Sequence, residues 1–193
     1  NAKLTSMGVQ IFKDCKALQD VTFREGFSST KLTATTLPFV NCTSTTFKVT
    51  LPSTFTTIPD KFFKTNTGTT SAGVNITSID LTYVTSVGQY AFDGCKKLTT
   101  VTGMDGLSVI KEYAFRGCAA LTAVDVSKAG TIGNYAFANC TTLKSVVWPT
   151  GVVVVPQYCF SGCSVLDTIN ITNGTTINAN AFENCKAIFL YRS

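Results

Sequence analysis

Histidine is missing from all 193 residues, and with it goes the usual general base for Ser or Cys nucleophiles and the commonest metal ligand. Most hydrolase chemistries are thereby excluded. Charge is scarce as well: 14% of residues are charged, and 16 Lys and Arg against 11 Asp and Glu leave a net charge of +5. The basic residues are scattered, and no window gathers the dense run that neutralises a row of phosphates, so no nucleic acid partner is expected. Long apolar runs are absent too. No stretch approaches the roughly 20 apolar residues of a membrane-spanning helix, so no membrane insertion is expected. The run Val152–Val155 has the length and β-branching of a strand. No glycine loop of the phosphate-cradling kind occurs; Gly103, Gly106, Gly117, Gly133 and Gly162 fall at recurring turn positions. No motif implies a cofactor.

What is present is apolar and repetitive. The composition is 45% hydrophobic with 14 Phe, enough to build a core in one domain of this length. Residues 113–121 read YAFRGCAAL and residues 135–143 read YAFANCTTL. Anchored on the Phe three residues before Cys, the positions Phe92, Phe115, Phe137, Phe160 and Phe182 are spaced 23, 22, 23 and 22 residues apart. Weaker units begin at Phe12, Phe39 and Phe63, at looser intervals of 27, 24 and 29 residues. This predicts about eight repeats in a single domain over 1–193, irregular over 1–81 and regular over 82–193. The segments Arg24–Thr36 and Lys64–Gly73 carry extra Ser, Thr and Gly, and read as insertions at loops.

Each unit contains a Leu-x-x-apolar-x-apolar piece, as in Leu121, Val124 and Val126 or Leu166, Ile169 and Ile171. Alternation among β-branched residues argues a short strand. One strand per unit, with no tight turn between consecutive strands, requires a parallel arrangement in which each coil stacks on the last. The Ala-Phe-x-x-Cys segment is too short to be a stable helix and is expected as one 3₁₀ or α turn that pushes Phe inward.

The phrase Ile-Gly-x-x-Ala-Phe-x-x-Cys-x-x-Leu-x-x-Val, clearest from Ile132 to Val146, resembles the BspA-like leucine-rich repeat of bacterial and protist surface proteins. The resemblance is strong over Val84–Ile188 and interrupted by insertions over 9–81. It implies an α/β repeat of the right-handed leucine-rich-repeat solenoid type, with a parallel β-sheet on one face and short 3₁₀ or α turns or extended segments on the other. It also implies an extracellular, cell-surface location and adhesion to a protein of a host matrix or a neighbouring cell surface.

Seven of the eight cysteines, Cys15, Cys42, Cys95, Cys118, Cys140, Cys163 and Cys185, occupy one repeat position. Stacking in register brings their Cα atoms to about 5 Å, but parallel Cβ vectors suit a disulfide poorly, so a ladder of buried thiols is expected. Cys159 replaces the Ala before Phe160 and forms Cys-x-x-x-Cys with Cys163. A plain Ala replacement is expected, with a local Cys159–Cys163 bridge as the alternative. No metal is expected, because further ligands are not at hand.

On the strands, the residues flanking each inward Val or Ile must point to the open face. The candidate binding face comprises Lys48, Asp80, Thr100, Thr102, Asp125, Ser145, Val147, Thr168 and Asn170. Its hydroxyl and amide groups on a broad sheet suit protein or glycan contact better than a small apolar ligand, although strand propensity alone explains many of the Thr. Trp148 stands where Val126 and Ile171 stand and is assigned to the core. Asp80 and Asp125, roughly 10 Å apart if two coils separate them, are the carboxylate pair for a remote glycosidase alternative. No catalytic residues are assigned, and the chain reads as a non-catalytic binding module or, alternatively, as a spacer or self-assembling stalk segment. Sequons occur at Asn41, Asn75, Asn139, Asn170 and Asn173; Asn41 and Asn139 directly precede ladder Cys and read first as turn residues. The apolar end Ala187–Tyr191 is expected to be covered by further chain or by another copy.

Overall fold

A Val or Ile between two polar residues recurs along the chain, and the computed structural model turns each such triplet into a strand. It describes residues 7–32, 37–66, 72–171, 174–186 and 189–192. The strands are Asp20–Thr22 (β1), Lys48–Thr50 (β2), Thr57–Ile58 (β3), Ser78–Asp80 (β4), Ser86–Val87 (β5), Thr100–Thr102 (β6), Val109–Ile110 (β7), Ala123–Asp125 (β8), Thr131–Ile132 (β9), Ser145–Val147 (β10), Val154–Val155 (β11), Thr168–Ile171 (β12), Thr176–Ile177 (β13) and Phe189–Arg192 (β14). Every pairing between them is parallel and in register. The fold is a parallel β-solenoid of stacked coils.

Two ladders run along the stack where the sequence predicted one strand per unit. The first joins β1 to β2, β4 to β6, and β8 through β10 and β12 to β14; the second joins β3, β5, β7 and β9, and then β11 to β13. The second was missed because its strands are two residues long, too short for any alternation to register. The Asn173 sequon, the tip of the Lys64–Gly73 insertion at 67–71, and Ala187 and Ile188 lie outside the described residues.

The expected helical turn at Ala-Phe-x-x-Cys is also corrected. Among the described residues the only helical turns are 3₁₀ segments at Ser29–Lys31 and Met104–Gly106, neither at that position. The N–H groups of Tyr90, Phe92 and Gly94 instead reach the carbonyls of Glu112, Ala114 and Arg116 in the next coil at 3.2, 2.8 and 2.7 Å. Those of Ala91, Asp93 and Cys95 turn back to Gly88, Tyr90 and Phe92 at 3.2, 3.2 and 3.0 Å. A helix would have spent all six within its own coil; this segment binds coil to coil with every second donor.

That alternation needs left-handed backbone, found at Tyr90, Tyr113, Tyr135 and Tyr158 with φ between 56° and 59°. Asn41 and Asn139, directly before the ladder cysteines, are left-handed as well, at 58° and 60°. A tyrosine in this region costs about 1–2 kcal/mol. Ring stacking of about 0.5–1.5 kcal/mol and an intercoil hydrogen bond of about 0.5–1.5 kcal/mol offset it. The four rings stack at centroid distances of 4.6, 4.7 and 4.6 Å.

Inside the coil runs an unbroken file of Phe12, Phe39, Phe63, Phe92, Phe115, Phe137, Phe160 and Phe182, with neighbouring centroids 4.7–6.0 Å apart and planes within 18°. Beside it lie Leu98, Leu121, Leu143 and Leu166, none of them solvent-accessible. Trp148 is buried, meets Phe160 edge to face at 5.8 Å and donates its indole N–H to the Val152 carbonyl at 3.2 Å.

All eight cysteines are free thiols: Cys15 is exposed, Cys185 intermediate and the other six buried. The thiols of Cys118, Cys140, Cys163 and Cys185 each donate to a Phe carbonyl of the preceding coil, at 3.1–3.3 Å. Burial pushes the Cys42 thiol up to about 11 and Cys140 up to about 12, and moves Cys95, Cys118, Cys159 and Cys163 upward too.

Phe137→Ala removes one ring from the file and is expected to cost about 3–5 kcal/mol, read from the urea midpoint. Alkali should act through the thiols. Unfolded cysteines ionise near about 8.5, well below the folded ones, so their stabilising contribution is intact below that pH and fades as pH climbs towards 11–12. The melting temperature should therefore fall between about pH 8 and 10, and in the native state a thiol reagent should label Cys15 first, with the six buried cysteines reacting only on unfolding.

Candidate functional site

The first ladder sets which side chains leave the core. In β1, β2, β4, β8 and β10 the central residue is buried and both flanking residues are exposed. Lys48, Asp80, Thr100, Thr102, Asp125, Ser145 and Val147 thus stand in solvent, with Val147 43% exposed, while Thr168 and Asn170 are half-buried. Register groups them. Lys48 lies beside Asp20, Thr100 beside Ser78 and Thr102 beside Asp80. Ser145 sits between Ala123 and Thr168, and Val147 between Asp125 and Asn170.

Several of these groups already hold their own turns. Asp80 Oδ1 accepts from the Thr82 N–H at 3.0 Å and the Thr82 hydroxyl at 2.7 Å. Asp125 Oδ1 accepts from the Ser127 N–H at 2.9 Å, and Asn170 Oδ1 from the Trp148 N–H at 3.1 Å. These are side-chain caps on strand-to-turn corners. The Ser127 hydrogen bonds hold Asp125 below the usual carboxylate range, so it is an ionised acceptor, the opposite of the raised acid a glycosidase needs.

The face is not continuous. Elsewhere on it, coils are joined at the strand margins by Thr99 N–H to Thr77 O at 2.9 Å, Lys144 N–H to Thr122 O at 2.9 Å, Leu81 N–H to Thr102 O at 2.9 Å and Val126 N–H to Val147 O at 3.0 Å. Among the described residues no counterpart joins β6 to β8, and the two are not ladder neighbours. The cause is one residue. The coil from Phe92 to Phe115 has 23 residues where the next has 22, and the extra length is taken up by a 3₁₀ turn at Met104–Gly106 led by Gly103 at φ 69°. Gly103 cannot be larger, since a Cβ there would lie 2.6 Å from Asp80 Oδ1. A cleft of about 270 Å³ opens at this seam, lined by Val101, Thr102, Gly103, Met104, Asp105, Asp125, Ser127 and Lys128. Two residues of the candidate face, Thr102 and Asp125, meet there. Val101, though central in its strand, is only half-buried.

Two further groupings were not anticipated from the sequence. The stacked tyrosines were visible as Tyr two residues before the repeated Phe in four successive units. The residue after that Phe is Lys64, Asp93 and Arg116 in three adjacent coils, a plus-minus-plus column that register brings together. Lys64 Nζ lies 2.8 Å from Asp93 Oδ2, and Arg116 Nε lies 2.8 Å from Asp93 Oδ1. Lys64 and Asp93 are buried; Arg116 packs over the rings of Tyr113 and Tyr90 at 4.9 and 5.4 Å. Hydrogen bonding to Asp93 raises Arg116 further above its already high range. Lys64 also pairs with Gly73 across the neck of the insertion.

A profile of the BspA-type leucine-rich repeat region matches this chain in six copies, over residues 1–80 and 70–188. Among solved structures, a leucine-rich cell surface protein from Faecalibacterium prausnitzii A2-165 aligns with a TM-score of 0.52 at 24% identity, over 95% of this chain and 62% of that one. The leucine-rich repeat protein of T. pallidum aligns with a TM-score of 0.55 at 20% identity, over 96% of this chain and 88% of the other. This chain therefore spans 62% of the first relative's length, and at such identities the likeness is one of fold. No curated protein matches the sequence.

Asp93→Ala would leave two cations without their shared carboxylate, one of them buried, and should cost about 3–5 kcal/mol in a urea melt. Lys111→Ala, which removes an exposed pair with Asp60 at 3.4 Å, should cost less than about 1 kcal/mol.

Proposed function

The chain belongs to the BspA-type leucine-rich repeat family, and on that premise we propose that it is a non-catalytic cell-surface module that binds a protein partner through the face of its three-residue strands. The observation that carries this reading is the outward row Thr100, Ser145, Val147 and Thr168 with Lys48, held on a stack whose buried interior leaves it little freedom to move. A polar surface with one exposed valine, fixed on a rigid support, loses little entropy when a partner settles on it.

The cell-surface assignment draws support from the F. prausnitzii relative, which is described as a cell surface protein. A non-catalytic role draws support from the absence of His and from Asp80 and Asp125 each being engaged in capping its own turn. Contact with glycan is the lesser form of the same reading, because no aromatic ring stands on this face to stack against a sugar.

The test uses the full chain against a panel of immobilised extracellular-matrix glycoproteins, with binding followed by interferometry. Combining Thr100→Lys, Ser145→Lys and Thr168→Lys should weaken binding at least about tenfold without moving the melting temperature. Gln157→Lys, on another side of the coil, should leave it unchanged. Equal binding by the triple variant and the parent would remove the strand face from consideration.

A further inference from the structure

We propose that the seam between β6 and β8 is the specificity pocket of this face, and that it receives one basic side chain, Lys or Arg, from the partner. The inference rests on the strand-face reading and narrows it. Size is the first argument. At about 270 Å³ the cleft falls below the range of roughly 300–1,000 Å³ that encloses a small-molecule ligand, and it is open along one side of the coil. It suits one long side chain reaching in from a surface laid across the strands.

Chemistry is the second argument. The inner part is apolar, with half-buried Val101 and buried Met104, which suits the methylene stem of a Lys or Arg. The exposed Asp105 and Asp125 stand at the same cleft against a single cation, Lys128, so its charge balance is negative on a chain whose net charge is +5. Ser127 Oγ and Thr102 Oγ1 add acceptors. The broken ladder is the third argument. At the β6–β8 step the margin hydrogen bonds found between other coils are missing, leaving carbonyl groups that only an incoming donor or water can satisfy. A guanidinium, with five donors and no acceptor, matches carboxylates and bare carbonyls at once. An acidic or purely apolar side chain matches neither.

The test is an NMR titration of the full chain with N-acetyl-arginine amide and with the same compound carrying citrulline, which keeps the shape and loses the charge. Saturable shifts clustered at Val101, Thr102, Met104 and Asp125 with the arginine compound, at least about tenfold weaker with citrulline and in Asp105→Asn/Asp125→Asn, are the expected result. Asn keeps the oxygen that caps Ser127, so the double variant should retain the fold, which its spectrum will show. Equal shifts with citrulline, undiminished shifts in the double variant, or shifts scattered away from the seam would overturn the proposal. The two readings separate on a protein partner. Binding lost in the Thr100, Ser145 and Thr168 triple variant but kept in Asp105→Asn/Asp125→Asn would sink the seam and leave the strand face. Binding kept in both would sink both.

Discussion

Everything in this molecule depends on like side chains lying over like side chains at one coil's spacing. A phenylalanine file with centroids 4.7–6.0 Å apart works only if each coil returns its chain to the same place with the same rotation. Strand length, turn geometry and the choice of Cys, a side chain small enough to fit beneath the Phe carbonyl of the coil before, all serve that return. The interior is therefore a set of columns rather than a cluster: Phe, Leu, Cys and inward Val or Ile, each continuous from coil to coil. Stability is correspondingly a sum over neighbours.

The outer wall shows how far this constraint reaches. A helical turn would be the cheaper local solution for Ala-Phe-x-x-Cys, yet it would consume the donors that join adjacent coils. The chain accepts left-handed tyrosines instead, and stacking of the rings offsets much of the strain. The Lys64–Asp93–Arg116 column follows the same logic. Charges that would be costly singly become tolerable because register places opposite signs one coil apart.

The repeat interval, the parallel stacking and the inward column of Phe could be read from residue spacing, because a period near 22 leaves its mark on every unit. The second ladder could not, since two-residue strands such as Thr131–Ile132 carry no periodicity of their own. The turn at Tyr113 was misread because propensity speaks against left-handed tyrosine, and only the contact with Tyr90 and Tyr135 in other coils overrides it. At the candidate face, exposure followed from strand alternation, whereas the role of Asp125 as a cap for Ser127 depends on a turn the spacing does not reveal. The seam was legible only in part: the 23-residue interval was visible, but that one extra residue would part β6 from β8 is a matter of how Gly103 and Met104 fold over Asp80 and Thr82.

That parting gives the rod a mechanical grain. A pull along the solenoid axis is borne in parallel by both ladders, the turn wall and the ring file wherever all are intact. At β6 and β8 one ladder is missing, so the load there shifts to the bonds from Phe92 to Ala114 and Gly94 to Arg116 and to the β5–β7–β9 ladder on either side. Strain concentrates on one flank, and the stack should bend open at that step before it breaks elsewhere.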